Sequence, residues 1–192
     1  MHDTARELGK LFLSLYHSPS CTTILDFGAM NINGTLRDYC PPGVTYLGVD
    51  LSPGPDVDLT LDAFNSLRYP STRYDLILAT SVFEHDALFW NTFTELCSLL
   101  SLQGALYLNV PSDGKVHRHP LDCWRFYPDA GLALQRWSVL AGCPVRLIES
   151  FVANQGGEGW SDFVAVFSPS ALMPRLANAY GMRNLTHYQT GQ

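Results

Sequence analysis

Apolar positions recur every three to four residues at the start of the chain. Leu8, Leu11, Phe12 and Leu15 share one face, and the spacing predicts a leading helix over 3–17. From residue 22 the pattern changes to short β-rich runs separated by helical stretches. Strands are expected over 22–27 (stopping at Gly28), over 46–51, briefly over 58–61, and over 74–80. The last of these is apolar nearly throughout between polar flanks, as befits a strand buried on both faces. A polar turn and a short helix near 34–40 separate the first two. In the second half Leu88, Phe89, Phe93, Leu96, Leu99 and Leu100 return to helical spacing, so 87–102 reads as a helix that ends before Gly104. A fifth strand is expected over 105–110, followed by an irregular stretch, 111–127, rich in Pro, His, Arg and aromatic residues. Pro128 and Asp129 open a helix over 128–142 and Gly142 closes it. Two final strands, 145–152 and 162–167, flank the Gly-rich stretch 155–159. Beyond Ser168 a short helix and then a mobile end are expected.

Strands alternating with helices imply an α/β fold: a Rossmann-like, doubly wound, mostly parallel sheet of about seven strands, closed by an antiparallel hairpin. The expected division is one domain over 21–168, with 1–20 as its leading helix and 169–192 as a C-terminal tail. The chain has 192 residues, of which 46% are hydrophobic, enough for one domain with a sizeable core. Only 16% are charged, against about 25% in ordinary soluble domains, which leaves an oligomer or a partner-covered face open. The net charge is −6, with Lys10 and Lys115 the only lysines, so a nucleic-acid partner is not expected. No apolar run approaches the ~20 residues of a membrane span, and none is expected. Asp3 and Glu7 come early and Ser14 interrupts the apolar run, so the N-terminus reads as an amphipathic helix rather than a secretion signal. Five cysteines without a C-x-x-C pair argue against a zinc ribbon or disulfide scaffold and fit a reducing, cytoplasmic setting.

In such a sheet, ligands bind beyond the carboxyl ends of the strands, so those ends carry the candidate chemistry. The first strand ends in Asp26-Phe27-Gly28 and runs through Met30, Asn31, Ile32 and Asn33 to Gly34. An acid, a turn glycine and a second glycine opening a helix make a nucleotide-binding loop. The spacing is not G-x-G-x-x-G, which lowers the case for NAD or FAD. The second strand ends in Gly48-Val49-Asp50, with Leu51 next, and an acid ~20 residues beyond the loop suits a hold on ribose hydroxyls. Asp62-Ala63 follows the third strand, placed to meet an adenine amino group. The fourth strand ends in Thr80-Ser81-Val82-Phe83-Glu84-His85, small and apolar residues ahead of a histidine.

The set Asp26-x-Gly28, Gly48-Val49-Asp50, Asp62-Ala63, Tyr74-Asp75-Leu76-Ile77 and Glu84-His85 resembles the class I S-adenosylmethionine-dependent methyltransferases over residues 22–167. Most of them carry G-x-G-x-G in the first loop, where this chain has Met30 and Ile32. The variant loop resembles a small, single-domain, bacterial-type branch that reads G-S-x-N-x-N-G. That branch also carries a Ser-Pro-Gly-Pro turn, here Ser52 to Pro55, and H-R-x-P-x-D-x-W-R-F, here His117 to Phe126. The resemblance implies S-adenosyl-L-methionine as cofactor. Asp26 then faces the amino group of its methionine moiety, Gly28 and Gly34 shape the loop, Asp50 and Leu51 hold the ribose end, and Asp62 and Ala63 meet the adenine edge. Thr80, Ser81 and Val82 border methionine and adenine. Asn31 and Asn33 either donate amide contacts to the cofactor or serve as turn residues that tolerate left-handed geometry.

The stretch 111–127 is too long for a plain connector, and loops of that kind carry function. Three readings compete for its His117, Arg118, His119, Asp122, Trp124 and Arg125. His117, His119 and Asp122 have metal-ligand types, but no other ligand cluster supports them and no metal is assigned. Alternatively Trp124 plugs a sheet edge while Arg125 pairs with Asp122 or Glu84. In the third reading the loop forms an acceptor wall, with Asn109, Arg118, Trp124, Arg125 and Trp160 as substrate contacts. His119, His85 and His117 are then the candidate bases, in that order, although the Glu84-His85 pair can equally serve only to fix its loop. The resulting expectation is methyl transfer to an oxygen or nitrogen of a small-molecule or saccharide acceptor. Two rivals stand beside it: a non-catalytic cofactor-binding scaffold subunit, and an NAD-type oxidoreductase or epimerase. The latter lacks Tyr-x-x-x-Lys, since Pro111 and Arg6 stand where the tyrosine is needed.

Overall fold

The computed structural model describes residues 3–61, 73–154 and 160–191. The order of elements is α1 (Asp3–Tyr16), β1 (Thr23–Phe27), a 3-10 turn (Arg37–Tyr39), β2 (Thr45–Asp50), β3 (Leu59–Thr60), β4 (Tyr74–Thr80) and α2 (Phe89–Ser98). Then come β5 (Leu100–Pro111), α3 (Ala130–Leu140), β6 (Arg146–Asn154), β7 (Ser161–Ser168), α4 (Leu176–Tyr180), a second 3-10 turn (Met182–Asn184) and β8 (Leu185–Gln189). Among the described residues the strands form one eight-stranded sheet in the order β3-β2-β1-β4-β5-β7-β6-β8. Pairings from β3 through β5 are parallel, and those among β5, β7, β6 and β8 are antiparallel. The chain order reverses between β1 and β4, so the crevice of a doubly wound sheet falls at their carboxyl ends.

The apolar run of β4 is buried on both faces for the reason its sequence suggests. Leu76 and Leu78 pack with Leu8 and Phe12 of α1 on one side. Ile77 and Ala79 pack with Phe93 and Leu96 of α2 and Leu134 of α3 on the other. Successive side chains of a strand point to opposite faces, so an unbroken apolar run serves two cores at once. No helix among the described residues is long and apolar enough to cross a membrane.

Two elements depart from the sequence expectation. α2 stops at Ser98 rather than near 102, because β5 already begins at Leu100 and bulges before regaining register at Ala105. The segment beyond 168 does not end free: β8 joins the sheet beside β6, pairing Val152 with Thr186 and Ala153 with Leu185. Its anchor is Glu149, fully buried in β6. Oε1 accepts the backbone N–H groups of Arg175 and Leu176 at 2.8 Å each and the Tyr16 hydroxyl at 2.5 Å, while Oε2 accepts the Ala177 N–H at 2.9 Å. A carboxylate thereby satisfies the otherwise unpaired donors at the start of α4 and ties α1 to the C-terminal segment.

Candidate active site

The carboxyl ends of β1, β2 and β4, together with the 111–127 loop, enclose a cleft of about 1140 Å3. Its floor is the β1 loop. Gly28 has φ +84°, a left-handed conformation that glycine adopts without steric cost, and a Cβ there would come 2.0 Å from Val82 Cγ2. Its N–H and that of Ala29 both donate to the Val49 carbonyl, at 2.8 and 3.0 Å, which draws the loop against the end of β2. Asp26 points into the cleft from β1 and is buried. The Tyr46 hydroxyl donates to its Oδ2 at 2.6 Å. Burial pushes the Asp26 carboxyl up to about 6, while the Tyr46 hydrogen bond and the Arg37 charge pull the other way. A carboxyl poised near neutrality in a crevice is a natural seat for a cationic ligand group.

Asp50 closes the other end of the floor. Its Oδ2 accepts the Met30 N–H at 3.1 Å and its Oδ1 accepts the Ser52 N–H at 3.3 Å. Asn33, Gly34 and Leu51 also line the cleft, Leu51 largely exposed. Asn31 does not. Its Oδ1 accepts the Gly34 N–H at 2.9 Å, its Nδ2 donates to Asp56 Oδ2 at 2.7 Å, and its N–H donates to the Pro55 carbonyl at 3.1 Å. The amide therefore closes the turn and straps it to the loop after β2, the geometry of a turn residue. Asp62 and Ala63 lie outside the described residues.

At the end of β4, Thr80, Ser81 and Val82 line the cleft. Ser81 has φ +55° and donates its N–H to the Asn109 carbonyl at 2.8 Å. The Thr80 Oγ1 is buried without a hydrogen-bond partner, a polar group left to be satisfied by something entering the cleft. Asn109 itself is buried in β5 behind the cleft, donating to the Tyr107 hydroxyl at 3.1 Å.

The far wall brings three histidines together. Ring centroids of His85 and His117 are 4.9 Å apart, His85 and His119 6.0 Å, and His117 and His119 6.3 Å. The Trp160 ring stands edge-on to His117 at 4.8 Å. Arg118 lines the same wall and is exposed. The wall is held from behind: the Glu84 carbonyl accepts the N–H groups of Cys123 and Trp124 at 2.7 and 3.3 Å, and the Trp124 indole donates to the Asp86 carbonyl at 2.9 Å. Arg125 donates to both Asp122 oxygens at 2.5 and 2.9 Å, and Asp122 also accepts the His117 N–H at 2.7 Å. The Arg125 hydrogen bonds hold the Asp122 carboxyl well below the usual range. Trp124 and Arg125 thus support the wall and do not line the cleft, and Asp122 is committed to Arg125.

The sequence reading passed over Tyr46, and it weighed Glu84 only as a partner for Arg125 or as one of a pair that fixes its loop. Tyr46, one strand away from Asp26, has no local signal, because its role depends on the β1–β2 pairing. The Glu84 carboxyl is almost fully buried, and burial pushes it up to about 8. The signal for it was present: an acid directly before a histidine at a strand end. The neighbouring His85 is pushed below its ordinary value, chiefly by burial.

No protein-family model matches the sequence, and no curated protein matches it. Solved structures do. The N-terminal domain of EvdMO1, crystallised in the presence of S-adenosylhomocysteine and D-fucose, superposes with a TM-score of 0.55 at 16% identity, over 86% of this chain and 82% of that one. The Burkholderia thailandensis 1,6-didemethyltoxoflavin-N1-methyltransferase, with bound 1,6-didemethyltoxoflavin and S-adenosylhomocysteine, gives 0.61 at 15% identity, over 86% and 77%. A SAM-dependent methyltransferase from Archaeoglobus fulgidus gives 0.60 at 16%, over 84% and 93%. The architecture built above, with its crevice at the β1–β4 reversal, is the Rossmann-like fold of the class I S-adenosylmethionine-dependent methyltransferases.

Proposed function

We propose that the chain binds S-adenosyl-L-methionine and transfers its methyl group to an oxygen or nitrogen of a small-molecule or saccharide acceptor. The observation that carries the reading is the pair of carboxylates, Asp26 and Asp50, at the carboxyl ends of the neighbouring strands β1 and β2 beside the switch point. The donor set fits the cofactor: a buried carboxyl for its ammonium, a second for its ribose diol, and an unsatisfied Thr80 hydroxyl at the end of β4, on the other side of β1. When bound, S-adenosylmethionine supplies an electrophilic methyl on a sulfonium sulfur, whose leaving group is a neutral thioether.

The chain's own contribution is placement. Asp26, Asp50 and the Gly28 turn fix one reactant, and the His/Arg wall fixes the other across the same cleft. Alignment of that kind supplies roughly 7–11 kcal/mol of a barrier. The acceptor loses a proton as its oxygen or nitrogen bonds to the methyl carbon, while the electron pair of the broken C–S bond stays with sulfur. His119, exposed on the cleft wall, receives that proton; a positioned base contributes about 10²–10⁴-fold. Arg118 on the same wall orients an anionic or hydroxyl-bearing acceptor. EvdMO1 was crystallised with a sugar and the toxoflavin enzyme with a fused heterocycle, both small enough for a cleft of this size.

Calorimetric titration with S-adenosylmethionine tests the reading, with Asp50→Ala and NADH as comparisons. Saturable binding that Asp50→Ala loses, together with no heat from NADH, is the expected result. An acceptor screen with His119→Ala then separates catalysis from a scaffold role. Binding of NADH in place of S-adenosylmethionine refutes the proposal.

A further inference from the structure

The histidine wall holds a donor set that the placement chemistry above does not require. One ligand atom each from Glu84, His85 and His117 lies within 4.8 Å of the others, and all three residues line the cleft. We propose that these three residues form a site for one divalent first-row transition-metal ion, open on its cleft side.

Four observations support the assignment. Two imidazoles and one carboxylate are the ligand types that hold zinc, iron, manganese or cobalt with coordination positions left free. Both imidazoles are oriented as ligands. His85 Nδ1 is 2.5 Å from the Leu121 carbonyl, which can only accept, so Nδ1 carries the proton and Nε2 keeps its lone pair. That Nε2 is 3.7 Å from Glu84 Oε1. His117 Nδ1 likewise faces two acceptors, the Lys115 carbonyl at 3.4 Å and Asp122 Oδ2 at 3.5 Å, which again leaves Nε2 as the donor. Such outer partners orient the imidazoles of metal sites.

The third observation is Glu84. Its side chain is 1% exposed, and Oε2 is buried with no hydrogen-bond partner. A buried carboxyl oxygen without a partner is costly unless a proton or a cation meets it. The fourth is spacing. Ligand atoms about 2.0–2.2 Å from a common ion stand ~3–4 Å apart, so a spread of up to 4.8 Å has to contract, and His117, part-exposed on its loop, is the ligand with room to move.

The role of the ion, though not its binding, rests on the methyl-transfer reading. An acceptor hydroxyl on one of its open positions releases its proton more easily, because the ion stabilises the oxygen anion as it forms. His119 remains free to take that proton, since it is not one of the three ligands. The bond changes are those already given. The site therefore favours acceptors that present a hydroxyl, or a vicinal pair of them, over amines.

The 192-residue chain, tag-free and stripped of metal with a chelator, is titrated with Co2+ alone and followed by calorimetry, with Zn2+ as competitor. One Co2+ per chain, displaced by Zn2+, is expected. His85→Ala and His117→Ala are each expected to weaken it by at least the ~10–100-fold that losing an outer-shell partner costs. Glu84→Gln is the third variant. If burial of that position prevents folding, judged by circular dichroism, His117→Ala on the part-exposed loop decides the matter. A wild type that takes up no Co2+, or one whose affinity is unchanged in both histidine variants, overturns the proposal. Co2+ uptake by a protein that gives no heat with S-adenosylmethionine instead locates the failure in the cofactor reading.

Discussion

Asp26 makes a prediction that can be worked through in numbers. Its carboxyl is pushed up to about 6 from the ordinary 3.8, because burial disfavours its charged form. The folded protein without cofactor therefore holds this proton more tightly than the unfolded chain does. The stabilisation is full below about pH 4 and is lost as pH rises through 6, a difference of about 3 kcal/mol at most. Binding of a cationic amino group acts in the opposite sense, since it needs the carboxylate. With a value near 6, the ionised share rises about tenfold between pH 5 and pH 7, so S-adenosylmethionine affinity should rise about tenfold, or ~1.4 kcal/mol, over the same interval. The groups around Asp26 are Tyr46, whose hydrogen bond lowers its value, Arg37, which also lowers it, and Asp50 and Asp56, which raise it. Tyr46→Phe should accordingly move the rise to higher pH. Asp26→Asn should flatten it, weaken binding at pH 7, and raise the melting temperature of the cofactor-free protein at that pH. Calorimetry from pH 5 to 7, repeated in buffers of different ionisation enthalpy, measures both the slope and the proton released. Equal slopes in wild type and Asp26→Asn would refute the reasoning.

Three further outcomes follow from the packing. Gly28→Ala should cost about 2–4 kcal/mol in urea unfolding, combining left-handed strain with the Val82 clash, and Gly28→Ala/Val82→Ala should recover only the steric part. Glu149→Gln should lower stability by about 1–3 kcal/mol, because an amide has one acceptor where the carboxylate has two, and hydrogen exchange over 176–189 should quicken more than that of β4. Arg125→Ala should cost about 1–3 kcal/mol and lower kcat for a methylated acceptor, with S-adenosylmethionine affinity unchanged, since Arg125 supports the His117 wall and does not line the cleft. A matching loss of cofactor affinity would contradict that placement.

The part of the fold legible from the chain was the part written in local periodicity. The nearly unbroken apolar run that marked β4 as buried on both faces is a pattern of adjacent residues, and the structure packs Leu76 and Ile77 into different cores accordingly. The carboxylates at the ends of β1 and β2 were legible for the same reason, because strand ends can be located from the strands. β8 was not. Its residues Leu185 to Gln189 carry no strong alternation, and they are held by pairing with Ser150, Val152 and Ala153 of β6, while Glu149 of the same strand anchors the start of α4 ahead of them. Asn31 shows the same limit at the site. Its residue type fitted either a cofactor contact or a turn, and its bonds run to Gly34 and Asp56, the latter reachable only once β1 and β2 lie side by side.

Those long-range bonds also bear on how the cleft keeps its shape. The loop after β1 is strapped to the loop after β2 through Asn31 and Asp56, and Asp50 accepts the Met30 N–H from the same loop. The loop after β5 is strapped to the loop after β4 through the Glu84 and Asp86 carbonyls. Neither strap relies on an added subdomain: each ties one strand-end loop to its neighbour across the sheet. The two straps meet at Val82, whose side chain touches the Gly28 turn while its carbonyl accepts the His85 N–H at 2.9 Å. Val82 therefore connects the β1 loop to His85 through one side-chain contact and one backbone hydrogen bond. Val82→Ala relieves that contact, and because Val82 also lines the cleft, cofactor affinity is measured alongside it. If the two halves are coupled in this way, it should loosen the dependence of acceptor KM on bound cofactor while leaving the 111–127 loop folded, as judged by its hydrogen exchange. An unchanged dependence would mean that floor and wall are set independently, each by its own strap.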